Sequence, residues 1–117
     1  MAILAIDYGK KHCGLAFASG PLAEPLTTIS TGNALIQIKQ IITDKKIDKI
    51  IIGLVSEEFL QQLQRLEVPI EVVDETLSSH DARQALLHTS QKRRRENEHA
   101  VAAAIMLQRW LDDLSLA

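Results

Sequence analysis

Three places along this chain hold residues able to do chemistry: Asp7, the pair Asp74-Glu75, and His99. Asp7 follows an apolar run at residues 2–6 and opens the segment Asp7-Tyr8-Gly9-Lys10-Lys11-His12-Cys13-Gly14. A carboxylate at the end of a buried strand, followed by a glycine that lets the backbone turn tightly, is held rigidly enough to meet a metal or a phosphate. The bland alternative is a turn aspartate that caps its own loop. Asp74 and Glu75 repeat the arrangement after the apolar Val72-Val73; for Glu75 the structural alternative is a carboxylate at the approach to a helix near Ser78. Two carboxylates brought to one sheet edge repel unless a cation lies between them, and hard oxygen ligands suit magnesium or manganese.

His99 needs a helix to place it. At about 100° per residue, His99, Ala103, Leu107, Trp110 and Leu114 form one stripe, with Glu96 on the same side one turn earlier. Glu98 falls on the opposite side with Val101 and Ile105. Because Leu107 and Trp110 are the residues best suited to pack on a sheet, His99 is expected to face it too. There it serves either as a polar residue at the edge of the core or as a metal ligand or proton carrier. His12, His80 and His88 make no metal spacing with one another, and Cys13 is expected to pack as a small apolar group.

The elements that must position these residues follow from the hydropathy pattern. Residues 2–6 read as a buried strand, and residues 14–18 as the start of a second strand joined to it by a short turn. A third strand is expected within residues 22–30, at an edge because of Pro25. Ala34, Leu35, Ile38, Ile41 and Ile42 share a helical face, with Asn33 as N-cap. Residues 49–54 form a β-branched interior strand. Ser56 caps a short helix carrying Phe59, Leu60, Leu63 and Leu66, and Pro69 opens a strand over residues 70–73. Ser78 and Asp81 form a capping-box pattern ahead of another helix, and the last helix is placed over residues 96–114. The order β-β-β-α-β-α-β-α-α predicts a five-stranded mixed sheet, antiparallel first and then parallel, with helices on both faces.

Length, charge and composition bound the rest. With 117 residues the chain has room for a single domain, residues 1–117, and a 46% hydrophobic content suits a packed core. No apolar run approaches a membrane span. The short apolar N-terminus lacks the features of a signal peptide and the single cysteine cannot close an internal disulfide, so a cytoplasmic location is expected. The formal charge of −2 gives no global sign of nucleic-acid binding. Locally, Lys92-Arg93-Arg94-Arg95 is the one dense basic run. It is either a solvated loop or a phosphate-contacting segment beside an acidic site.

Taken together, these segments resemble the YqgF (RuvX) family of Holliday-junction resolvase-like proteins, mostly regarded as pre-16S ribosomal RNA nucleases. The resemblance covers nearly the whole chain. It is carried by Ala5-Ile6-Asp7-Tyr8-Gly9, Gly14-Leu15-Ala16, Pro25-Leu26 and Ile50-Ile51-Ile52-Gly53-Leu54. It continues through Val73-Asp74-Glu75-Thr76-Leu77-Ser78-Ser79, Ala82-Arg83 and the stretch from Ala102 to Leu111. The resemblance implies a ribonuclease-H-like fold and a site of three acids. By position these are Asp7, Glu75 and, where the family has an aspartate, His99. It further implies two bound Mg2+ or Mn2+ ions held by Asp7, Glu75 and His99, hydrolysis of phosphodiester bonds in a structured RNA such as the 16S ribosomal RNA precursor, and flanking-phosphate contacts from Lys10, Lys11, Arg93, Arg94 and Arg95. Family members usually carry Arg where His12 stands and Pro where Val55 stands, and a longer loop after the residue 49–54 strand. A monomer or weak homodimer is expected. Alternative readings are a nucleic-acid-binding, ribosome-assembly protein that keeps the fold without cleavage, a DNA junction nuclease, and an ATP-binding phosphotransferase of the actin and sugar-kinase type. The last needs two domains, for which the chain is short.

Overall fold

The computed structural model describes residues 1–53, 55–73 and 91–116, with side chains of the last helix described from Glu98 to Leu114. Five strands form one sheet: β1 (Ile3–Asp7), β2 (His12–Ala18), β3 (Glu24–Ser30), β4 (Lys49–Ile52) and β5 (Ile70–Val72). Their spatial order is β3-β2-β1-β4-β5. The first three are antiparallel, and β4 and β5 add in parallel to β1. The helices are α1 (Ala34–Lys45), α2 (Glu57–Gln64) and α3 (Gln91–Leu116). This is the ribonuclease-H-like arrangement expected from the sequence. The capping box at Ser78 and Asp81, and the helix after it, lie outside the described residues.

β1 is central because all five of its residues are apolar or buried, so it can be covered on both faces. Pleating then divides the core in two. Leu4 and Ile6 point to one face with Leu15, Ile50 and Ile52, where Ala34 and Ile38 of α1 and Phe59 and Leu63 of α2 cover them. Ile3 and Ala5 point to the other with Ala16, Ala18 and Ile51, beneath Ala103, Ala104, Met106 and Leu107 of α3. That second face is built from small residues on both sides, so the alanine-rich helix lies close to the strands. Pro25 sits on β3, an edge strand, where its missing N–H costs no ladder bond.

The helix ends show local departures from the pattern. Ser56 caps α2 as its position predicts, accepting from Phe59 N–H at 3.2 Å. Asn33 occupies the N-cap of α1 without a side-chain capping bond, because a single 3-10 turn over Thr31–Asn33 leads the chain into the helix. α1 stops at Lys46, which adopts the left-handed conformation with φ 53°. α3 begins at Gln91, five residues earlier than hydropathy places it, and so takes the basic run 92–95 into its first turns. Hydropathy misses these residues because none of them is apolar. At the far end of α3, Gln108 accepts from Ala23 N–H at 2.8 Å and donates to the Pro21 carbonyl at 2.9 Å, tying the β2–β3 loop to the helix. Trp110 donates to Glu71 at 2.6 Å, and Lys49 lies over its ring. Among the described residues no helix is long and apolar enough to cross a membrane.

Candidate active site

Asp7 ends β1, and alternation along the strand decides where its side chain goes. Ile3 and Ala5 face α3, so Asp7 does too. It is 6% exposed and is the one buried polar or charged residue among those described. A carboxylate taken out of water in this way needs a compensating charge or hydrogen-bond donor. His99 of α3 stands against it, with Nδ1 3.5 Å from Asp7 Oδ2. The neighbouring carboxylate holds the His99 imidazole above its ordinary value; partial burial opposes this, and Glu98 adds to it.

Gly14 makes this meeting possible. It pairs with Asp7 across the β1–β2 ladder, and a side chain there would point at α3. A Cβ on Gly14 would overlap the backbone carbonyl group of His99 and lie 2.6 Å from Ala100 N. Only the absence of a side chain lets the helix backbone descend onto β2 at this point, which sets the depth at which His99 meets Asp7.

The turn after Asp7 is fixed from a third element. Thr31 Oγ1 donates to the Gly9 carbonyl at 2.7 Å, and Thr31 N–H donates to the Lys11 carbonyl at 3.0 Å. Lys10 and Lys11 lie exposed on this turn. His12, also exposed, starts β2 and stacks on His99 with ring centroids 6.3 Å apart and planes 28° apart. Tyr8 turns to the opposite face, packing on Phe59 at 4.8 Å, and its hydroxyl accepts from Ser56 at 3.4 Å. Cys13 is buried in the α1–α2 core as its apolar character predicts.

The structure therefore brings Asp7 and His99 together, with His99 turned to the sheet as the helical stripe anticipates and Lys10 and Lys11 on the adjoining turn. Glu75 lies outside the described residues. The strand that leads to it, β5, runs parallel to β4 and through it to β1, so the C-terminal ends of β1 and β5 open at the same sheet edge. Arg93, Arg94 and Arg95 are on α3, between one and two turns ahead of His99. Sequence spacing does not reveal His12 as a neighbour of His99. Its contact is made across the sheet–helix interface, and its position one residue before Cys13 is the only trace in the sequence.

Among the described residues no three His, Cys, Asp or Glu side chains are grouped to hold a metal ion. Two donors of suitable kind are nevertheless placed together. A carboxylate oxygen and an imidazole nitrogen, 3.5 Å apart, are the described groups that would face such an ion. A cation there would also relieve the burial of Asp7. These two donors alone would supply only part of the coordination set of a divalent metal.

Comparison with known proteins agrees with this frame. A family model described as "RuvX: Holliday junction resolvase" matches residues 1–113. A protein of Gloeobacter violaceus bearing the name "Putative pre-16S rRNA nuclease" is 35% identical over 131 residues, covering 96% of this chain and 84% of its own. A relative of the same name from Syntrophomonas wolfei is 30% identical over 142 residues, covering 99% and 97%. That alignment is longer than the 117 residues of this chain, so the relative carries segments this protein lacks, in keeping with its shorter loops. Among solved structures, Thermus thermophilus RuvC in complex with a Holliday junction superposes with a TM-score of 0.60 at 15% identity, covering 98% of this chain and 96% of that one. The fowlpox virus resolvase, bound to junction DNA, gives 0.61 at 11% identity, covering 97% and 99%. At such identities these two speak for the fold alone. On the family match and the curated relatives, the chain is a member of the RuvX family, a nuclease family with a ribonuclease-H-like fold.

Proposed function

We propose that this protein is a divalent-metal-dependent phosphodiester hydrolase acting on structured RNA, with the precursor of 16S ribosomal RNA as its substrate. The observation that carries the reading is the buried Asp7 carboxylate at the end of the central strand, set against His99. The names borne by the curated relatives support the choice of RNA.

Asp7, Glu75 and His99 are the residues that would hold Mg2+ or Mn2+, two ions in the reading the resemblance implies. When bound, such ions lower the pKa of water and stabilise charge on the leaving oxygen. The remaining work falls to the chain. Asp7 is held by the β1 ladder and His99 by the close approach of α3 to Gly14, so the two donors keep their spacing without reorganising. His99 faces Asp7 through Nδ1, the nitrogen that would serve as its ligand atom if a metal were held there. Lys10 and Lys11 hold substrate phosphates on one side of Asp7. Arg93, Arg94 and Arg95 do so along α3, with Arg95 only about 6 Å along the helix axis from His99.

The test is a magnesium and manganese titration by calorimetry of the wild type and of Asp7→Ala/Glu75→Ala, followed by cleavage of a 16S precursor transcript. Metal uptake and cleavage by the wild type alone are expected. A double variant that cleaves as well as the wild type sinks the proposal. RNA binding that weakens with salt but never leads to cleavage would move the protein to a binding role in ribosome assembly. A four-way DNA junction run in parallel tests the activity in the family description.

A further inference from the structure

The turn between β1 and β2 carries the exposed Lys10 and Lys11 beside Asp7, yet within itself it has little to hold its shape. Its residues Tyr8, Gly9, Lys10 and Lys11 include one glycine and two exposed lysines. What fixes them is a residue of another element. Thr31 follows the edge strand β3, in the single 3-10 turn before α1. It makes two bonds to the turn: its hydroxyl donates to the Gly9 carbonyl at 2.7 Å and its N–H donates to the Lys11 carbonyl at 3.0 Å. A threonine hydroxyl has one proton, committed here to Gly9. Its lone pairs remain free to accept, and Cys13 Sγ lies 3.4 Å from Oγ1 as the donor that fits. The chain Cys13 S–H, Thr31 O–H, Gly9 carbonyl therefore runs from the core into the turn.

We infer that Thr31 is a positioning residue for substrate: by clamping the Gly9 and Lys11 carbonyls it sets Lys10 and Lys11 at the phosphates and keeps His12 stacked on His99. No sequence motif pointed to it. The inference rests on the nuclease reading above for its account of substrate, but the clamp itself is a property of the protein alone. Both bonds grip carbonyls on either side of Lys10, so the backbone around Lys10 loses most of its freedom while its side chain stays exposed. Ordering a lysine-bearing turn before the ligand arrives removes part of the entropy cost of binding.

The test compares Thr31→Val, which keeps the shape and the backbone N–H but removes the hydroxyl, with Thr31→Ser, which restores the hydroxyl without the methyl. Binding of a fluorescent precursor-RNA fragment is measured in EDTA, where no cleavage occurs, and KM and kcat are then measured with manganese. One lost hydrogen bond of ordinary strength corresponds to about a 5-fold change. The expected result is a roughly 5-fold rise in Kd and in KM for Thr31→Val with kcat changed less than 2-fold, and recovery to within 2-fold by Thr31→Ser. Amide resonances of Gly9, Lys10 and Lys11 should move in Thr31→Val and return in Thr31→Ser. Unchanged RNA affinity in Thr31→Val overturns the inference, and so does an equal loss in both variants, which would assign the effect to the methyl group. Should the wild type bind RNA without cutting it, the nuclease reading fails while the EDTA binding and the resonances still decide the role of Thr31.

Discussion

Replacing Gly14 by alanine should separate Asp7 from His99 without touching either. The added Cβ would fall on the His99 carbonyl group and 2.6 Å from Ala100 N, where comfortable contact needs about 3.5 Å. Neither obstacle is the end of a flexible side chain: one side is a central strand and the other the backbone of a long helix. α3 must therefore retreat from β2 by about 1 Å, and overpacking of this kind costs about 1–3 kcal/mol. The retreat also thins the contacts of Ala100, Ala103 and Ala104 with the sheet, which puts the loss near the upper end, about 3 kcal/mol. For a chain of this size that is a fall in Tm of about 10 °C. The Asp7–His99 separation would pass the ion-pair limit, so the imidazole should titrate nearer its ordinary value. Because its folded pKa is raised, the pair contributes stability that is fully present below about 6.5 and is lost as pH rises through the folded value. Gly14→Ala should flatten that slope. Denaturant melts across pH 5.5–8.5 and NMR titration of His99 read both effects. Gly20→Ala, where a Cβ meets nothing within 4 Å, is the control. A Gly14→Ala protein that melts within about 2 °C of the wild type with an unshifted His99 would refute the argument that the glycine sets the helix depth.

Other substitutions test the supporting contacts. Trp110→Phe removes the indole donor to Glu71 and should cost about 1 kcal/mol, the low end for a bond to a charged group, because the Glu71 side chain is 44% exposed. That bond, followed by the Lys49 contact, holds the Glu71 carboxyl below its ordinary 4.5. Its contribution is present above that value and lost as pH falls through the folded pKa, so urea melts of Trp110→Phe and wild type should converge in acid. Thr28→Val removes a hydroxyl that is buried without a hydrogen-bond partner; a gain of about 1 kcal/mol is expected in urea melts, and a loss would show that the hydroxyl is satisfied in solution. Lys46→Gly relieves a left-handed residue at the end of α1 and should add about 0.5–1 kcal/mol, read as a higher urea midpoint.

Much of the fold was legible because its determinants are local. Continuous apolar runs marked β1 and β4, Pro25 marked the edge, and the spacing of Ala34, Ile38 and Ile42 marked the buried face of α1. The placement of His99 was legible too, since a helical stripe running through Ala103, Leu107 and Trp110 leaves one direction for the sheet. What stayed hidden depends on contacts between elements distant in sequence. Thr31 is 22 residues from Gly9, and the stack of His12 on His99 exists only because α3 comes down over Gly14. The early start of α3 was hidden for a different reason: residues 91–95 carry no apolar pattern, and their helical state is inherited from the packed turns that follow.

That early start has an electrical consequence. A helix concentrates partial positive charge at its N-terminus and partial negative charge at its C-terminus, favouring acids at the start and bases at the end. α3 does the reverse, with Lys92, Arg93, Arg94 and Arg95 in its opening turns and Asp112 and Asp113 near its close. Each misplaced charge near an end costs about 0.3–1 kcal/mol at low salt. The free protein therefore carries a small, local debt at the end of the helix nearest His99. A polyanion bound there would reverse its sign, since the same field that repels four cations draws in phosphate. Substrate would then tighten the helix that carries the histidine, and the coupling should fade as salt rises.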